Sequence, residues 1–165
     1  MTPPFQPDRS STRGQSLVGV RLSKHADYQR AYAASRKRQS ASMSWFLALR
    51  TPLTARANRM QRPEAPASRL STRVGLTAGK VLGKAHERNR IKRRMREALR
   101  RHVELLPKGC DLILHPRRTV LNLDFAKLET EIVRILQQAT MEARRMKQDT
   151  VHVAIPKSGA APRVP

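Results

Sequence analysis

Residues 73–97 read RVGLTAGKVLGKAHERNRIKRRMRE, and three patterns follow one another along them. The stretch 72–78 (TRVGLTA) reads as a strand. GKVLGK is a glycine-bearing turn. From residue 85 to 103 the spacing becomes helical. Ile91, Met95, Ala98 and Leu99 fall on one side of a helical wheel and suit a sheet surface. Asn89, Lys92, Arg93, Arg96 and Arg100 gather on the other side. The only acids between residues 84 and 102 are Glu87 and Glu97. A helix face that is merely solvated usually mixes signs. This one is almost wholly cationic, and guanidinium forks suit phosphate oxygens.

Upstream, residues 44–49 (SWFLAL) form a compact apolar run and read as a buried strand. Residues 22–34 read as a short helix, with Ser23 placed to cap it. Tyr28 and Tyr32 stand at i, i+4 on one face of that helix. Core packing and a nucleotide-stacking role are both open to them. Residues 51–69 hold three Pro and four Arg with little periodicity, and read as a long surface loop or insertion. Residues 1–16 read as a disordered tail.

Downstream, Pro107 and Gly109 break the helix, and residues 110–115 (CDLILH) read as another apolar strand. Asp124 is placed to cap a last helix. Phe125, Leu128, Ile132, Ile135, Leu136 and Ala139 repeat at helical spacing, out to about Met146. The stretch VHVAI (151–155) reads either as an extra strand or as part of a disordered tail over 147–165. One domain over 17–146 accommodates these elements. The order helix–strand–strand–helix–strand–helix is α/β with a small sheet.

The chain of 165 residues carries 34 Lys+Arg against 12 Asp+Glu, a net charge of +22. Solubility asks for only ~2–8 on a small domain. A polyanionic partner is the expectation, with RNA preferred to DNA. The charge is densest inside the chain: residues 84–102 carry a net +7 in 19 residues. A shaped surface rather than a basic tail is implied. The single cysteine, Cys110, excludes a disulfide framework and a zinc ribbon. No apolar run approaches the ~18–20 residues that span a bilayer. Residues 1–16 lack the apolar stretch of a signal peptide, and a cytoplasmic location is expected. The five histidines (25, 86, 102, 115, 152) show no metal-ligand spacing. Asn89, between two arginines, has two readings: an amide that meets a sugar or base edge, or a residue at a helix start.

The run Arg73-Val74-Gly75-Leu76, Lys80, Gly83, Glu87-Arg88-Asn89-Arg90-Ile91-Lys92-Arg93 and Arg96-Glu97 resembles the signature of the bacterial ribonuclease P protein component. Asp27-Tyr28-Gln29-Arg30-Ala31-Tyr32 resembles that family's first helix. Asp111–Leu114 and the helix 124–136 resemble its last strand and helix. The resemblance covers about residues 20–140. It implies a small two-layer α/β sandwich with about four strands, three helices and a left-handed βαβ crossover, like ribosomal protein S5 domain 2. It implies an endoribonuclease whose chemistry is carried by a catalytic RNA subunit with Mg2+, not by protein side chains, and no metal held by the protein alone. Its partners would be that RNA and the 5′ leader of precursor tRNA, with no membrane and no obligate protein partner. On this resemblance Lys80, Arg88, Asn89, Arg90, Lys92, Arg93 and Arg96 face the catalytic RNA, while Tyr28, Tyr32 and Trp45 line a leader cleft. Val81 stands where the family has a second lysine, His86 where it has a small apolar residue, and Ser35 where glycine is frequent. Two other classes compete. One is a noncatalytic RNA-binding protein such as a ribosomal protein. The other is a DNA-binding protein with 88–102 as its recognition helix, which would need a second helix just before it.

Overall fold

The computed structural model describes residues 17, 20–50 and 72–153. The expected tail over 1–16, the loop over 51–69 and residues 154–165 lie outside the described residues. Seven elements follow in order: α1 (His25–Ala33), β1 (Arg38–Gln39), β2 (Met43–Leu49), β3 (Arg73–Leu76), α2 (Ala85–Arg101), β4 (Cys110–Pro116) and α3 (Phe125–Val153). Single 3-10 turns cover Lys80–Leu82, Val103–Leu105 and Arg118–Leu121. The strands form one mixed sheet in the order β1-β2-β4-β3. β2 runs antiparallel to β1 and β4, and β3 runs parallel to β4. Parallel neighbours need a crossover, and α2 supplies it between β3 and β4.

Both central strands are covered on one face and partly covered on the other, which explains their nearly unbroken apolar character. Met43, Trp45 and Leu47 of β2 and Cys110, Leu112 and Leu114 of β4 face the main core. There they meet Ile91, Met95, Ala98 and Leu99 of α2, and Leu128, Ile132, Ile135, Leu136 and Ala139 of α3. The opposite face carries a smaller cluster of Leu22, Ala31, Ala48 and Ile113, with Tyr28, Tyr32 and Phe46 packed against it. α2 and α3 thus cover one face, and α1 lies across part of the other.

Several element ends depart from the sequence reading. α1 starts at His25, and Lys24 occupies the cap position. Ser23 is exposed and caps nothing. The cause lies in the sheet: the Leu22 amide donates to the Val74 carbonyl at 2.9 Å, and Val74 returns a bond to Val20. Those bonds hold residues 20–22 extended along the free edge of β3. β1 has only two residues and no apolar pattern, so nothing in its composition announces it. The last helix begins as read, with Asp124 Oδ1 accepting from the Ala126 amide at 2.8 Å. It does not stop at Met146. It runs to Val153, so Val151–Val153 is helical, neither strand nor disordered tail. No Pro or Gly interrupts the chain between Asp124 and Pro156, and Lys147 Nζ ties this last part to the Lys108 carbonyl at 2.8 Å.

α1 is held to the sheet by charge as well as by packing. Arg73 of β3 donates to both oxygens of Asp111 on β4, at 2.8 and 2.7 Å. Its third bond, 2.8 Å, reaches Asp27 on α1. Both carboxylates are buried, at 3% exposure for Asp27 and 8% for Asp111. Arg30 pairs with the other oxygen of Asp27, and Arg50 Nε lies 3.8 Å from Asp111. Two residues along β3, the Tyr28 ring lies over Gly75: a Cβ there would be 2.6 Å from Tyr28 Cε1.

Two predictions follow from these contacts. Arg73→Ala leaves two buried carboxylates without their shared partner and destabilises the fold by about 3–5 kcal/mol in urea titrations. A loss under 1 kcal/mol would show that the cluster does not hold α1. Gly75→Ala destabilises the wild-type chain, but costs far less in a Tyr28→Ala background, where the ring is gone. Additive losses in that double-mutant cycle would mean that the Tyr28 ring is not what excludes a side chain at position 75.

Candidate nucleic-acid interface

The turn before α2 is built to present that helix. Gly83 has φ +117°, a conformation that side chains other than glycine rarely adopt. Glu87 folds back over it, and its Oε2 accepts from the Lys84 amide at 2.6 Å. This is the carboxylate half of a capping box. That bond, with Arg118 nearby, holds the Glu87 carboxyl below its ordinary range. Arg88 closes the same turn by donating to the Gly83 carbonyl at 2.7 Å.

The basic residues of α2 separate into two groups. Arg94 donates to the Leu121 and Leu123 carbonyls. Arg100 and Arg101 pair with Glu97, and Arg101 also reaches Glu129 and lies over the Phe125 ring. These cations hold helices and turns together. Arg90, Lys92, Arg93 and Arg96 make no hydrogen bond or ion pair among the described residues. Arg90, Arg93 and Arg96 are exposed, and Lys92 is half-buried. Asn89 is exposed within the helix, four residues past its start, so the helix-start reading of this amide fails. Lys80 is exposed on the turn beside Val81, which is 96% exposed where the second lysine would stand. The stretch that precedes α2 is β3 and a 3-10 turn, not a helix, so the helix-turn-helix reading fails too.

The aromatic site sits on the other face of the sheet. Tyr28 and Tyr32 of α1 face it together, ring centroids 6.3 Å apart. Tyr32 meets Phe46 edge-on at 5.0 Å, and its hydroxyl lies 2.7 Å from His115 Nε2 and 3.4 Å from Thr77 Oγ1. The Tyr28 hydroxyl donates to the Leu22 carbonyl at 3.2 Å. Burial, with Lys37 nearby, pulls the His115 pKa below its ordinary value. That shift favours the neutral ring, whose Nε2 in one tautomer accepts a hydrogen bond from the Tyr32 hydroxyl. Tyr28, Tyr32, Phe46 and His115 are all half-buried, so the rings are both packed and partly open to solvent.

Trp45 does not belong to this site. It is 2% exposed and faces the main core, with the Arg38 guanidinium 5.0 Å from its ring centroid. Successive strand residues point to opposite faces, so Phe46 takes the place expected of Trp45. That alternation is legible in SWFLAL once Tyr28 and Tyr32 are assigned to one face. His115 carries no signal in sequence. It arrives here because it follows Ile113 by two residues on β4.

Burial pushes the Cys110 thiol up to about 11, which leaves it protonated at neutral pH. Among the described residues no three His, Cys, Asp or Glu side chains converge to hold a metal ion. Asp27 and Asp111 are both engaged by Arg73.

The ribonuclease P protein component of Chloroflexus aggregans is 41% identical over 78 residues, which cover 47% of this chain and 58% of that protein. That of Finegoldia magna is 34% identical over 73 residues, covering 44% and 65%. The chain thus spans somewhat less than two thirds of the length of these relatives. The solved ribonuclease P protein of Thermotoga maritima superposes with a TM-score of 0.56 at 21% identity, over 72% of this chain and 96% of that one. That likeness shows a common fold, a small α/β domain of three helices on a four-stranded mixed sheet. The model of the family described as Ribonuclease P matches residues 19–140, and on that match the chain belongs to the ribonuclease P protein family.

Proposed function

We propose that this chain is the protein subunit of ribonuclease P. It binds a catalytic RNA and the 5′ leader of precursor tRNA, and assists endonucleolytic removal of the leader. The observation that carries the reading is the division of the motif at 73–97. Arg73, Gly75, Gly83, Glu87, Arg88 and Ile91 are engaged by the fold. Lys80, Asn89, Arg90, Lys92, Arg93 and Arg96 are left without partners among the described residues, on one helix and its leading turn. Motif positions that the fold does not need are available to a ligand.

The chemistry of each surface suits its assigned RNA. Guanidinium and ammonium groups on α2 neutralise backbone phosphates and release counterions, so this contact weakens with salt. Such contacts position an RNA without reading its sequence. On the other face, Tyr28, Tyr32 and Phe46 offer rings to unpaired bases. Stacking of this kind contributes ~1–3 kcal/mol per base and tolerates many sequences. A leader that differs from one precursor to the next needs that tolerance. The sheet separates the two surfaces, so both RNAs can be held at once. In this reading Mg2+ is bound by RNA phosphates and supplies the hydrolytic chemistry. The protein brings the strands together and lowers the repulsion between them. No protein partner is required, and a cytoplasmic location belongs to the same proposal.

Reconstitution tests the whole. The purified chain, added at low Mg2+ to the ribonuclease P RNA of the same cell, should release a leader of correct size from labelled precursor tRNA. Absence of stimulation with that RNA would overturn the proposal. Arg90→Ala should reduce leader removal more at low than at high Mg2+, because excess Mg2+ screens the phosphates that the guanidinium otherwise neutralises. Equal losses at both concentrations would take Arg90 out of that contact. Tyr32→Ala should weaken binding of leader-bearing precursor by about 1–3 kcal/mol and leave mature tRNA unaffected. An equal loss on both substrates would place Tyr32 outside the leader site.

A further inference from the structure

α3 keeps its acids turned inward for most of its length. Glu129 meets Arg101 and His102 at the end of α2. Glu131 accepts from the Ser42 amide at 2.8 Å and from the Ser40 and Ser42 hydroxyls. Glu142 pairs with Arg38. Outside stand Lys127, Arg134, Arg144 and Arg145, all exposed, with Gln137 and Gln138 between them and the exposed Thr130 and Met141 on the same side. At 3.6 residues per turn these positions share an arc of about 120°, opposite the buried line of Leu128, Ile132, Ile135 and Ala139. At 1.5 Å per residue the stripe from Lys127 to Arg145 is about 27 Å long. Its four cations make no hydrogen bond or ion pair among the described residues. Asp149, also exposed, lies past the end of the stripe.

We propose that this outward face of α3 is a second RNA-binding surface, one that docks on the phosphate backbone of the catalytic RNA. The proposal rests on the function given above. A helix face shaped only by solubility mixes signs. Here Arg101, His102, Ser40, Ser42 and Arg38 draw the carboxylates away, and the arc keeps four cations and two amides around the exposed Met141. Gln137 and Gln138 add donors and acceptors suited to phosphate oxygens and ribose hydroxyls. The backbone beneath is rigid because the opposite side of α3 is packed into the main core. A rigid, straight row of charge suits folded RNA, whose phosphates hold fixed positions, better than it suits a flexible leader. Arg144 and Arg145 lie beyond residue 140, where the family match ends.

The test uses the full chain and the ribonuclease P RNA of the same cell. Arg134→Gln, Arg144→Gln and Arg145→Gln are combined, and affinity is measured between about 50 and 200 mM salt. The slope of log K against log salt should fall in magnitude by about 2–3, with weaker binding at the low-salt end. A companion carrying Lys at the same three positions should keep most of the slope. Circular dichroism and melting of both variants should match the wild type, since all three side chains are exposed. An unchanged slope and affinity in the Gln variant, with wild-type binding intact, would overturn this proposal alone. Equal losses in the Lys and Gln variants would overturn it too, because charge would not be the contact. A wild-type chain that fails to bind this RNA would instead overturn the functional reading, and this proposal with it.

Discussion

Arg73 holds two buried carboxylates from two different elements, and the placement of α1 depends on it. A guanidinium offers donors in a fixed plane. With two bonds on Asp111 and one on Asp27, that plane sets how α1 lies over β3 and β4. The position of α1 decides where Tyr28 and Tyr32, one helical turn apart, meet the sheet. Gly75, two residues on and on the same face of β3, leaves the space that the Tyr28 ring occupies. The aromatic site is thus a consequence of an ion cluster that never touches it. Such a cluster is not a large net source of stability, because desolvation offsets most of the attraction. Its effect is to make one arrangement of α1 the satisfied one.

The second constraint acts on charge. A chain of net charge +22 repels itself when compact. Part of that charge is absorbed internally: Arg94 on carbonyls, Arg101 on Glu97 and Glu129, Arg38 on Glu142. The helices that cover the main core keep their unabsorbed cations on their outward faces. A polyanion bound there would relieve the repulsion, so folding stability and the proposed RNA binding would be coupled by the same electrostatic term. Under the proposed function the aromatic face would contribute a different kind of affinity, less dependent on salt, since stacking does not rest on counterion release.

Where the local pattern was strong, reading it sufficed. Ile91, Met95, Ala98 and Leu99 are the buried line of α2, and Asp124 caps α3, because periodicity and capping are short-range properties of the chain. Ser23 misled for the opposite reason. A long-range bond from Leu22 to Val74 overrode a local capping preference. β1 exists only because β2 lies beside it. The end of α3 was missed because polar residues after Met146 break the apolar repeat without breaking the helix. The resemblance places Trp45 in the cleft, but strand alternation turns it into the main core and brings Phe46 to the aromatic face.

The sequence by itself determined that this is a basic α/β chain, that α2 has one apolar and one cationic face, and that its motif belongs with a known family. Composition and spacing along a single element are enough for that. Only the tertiary structure decided which cations are free, which aromatic completes the site, and what Arg73 does. Each of those depends on residues far apart in the chain: Arg73 with Asp27 and Asp111, Tyr32 with Phe46 and His115, Glu142 with Arg38. A side chain's availability is set by the partners that folding brings to it, and no local pattern records which partners those will be.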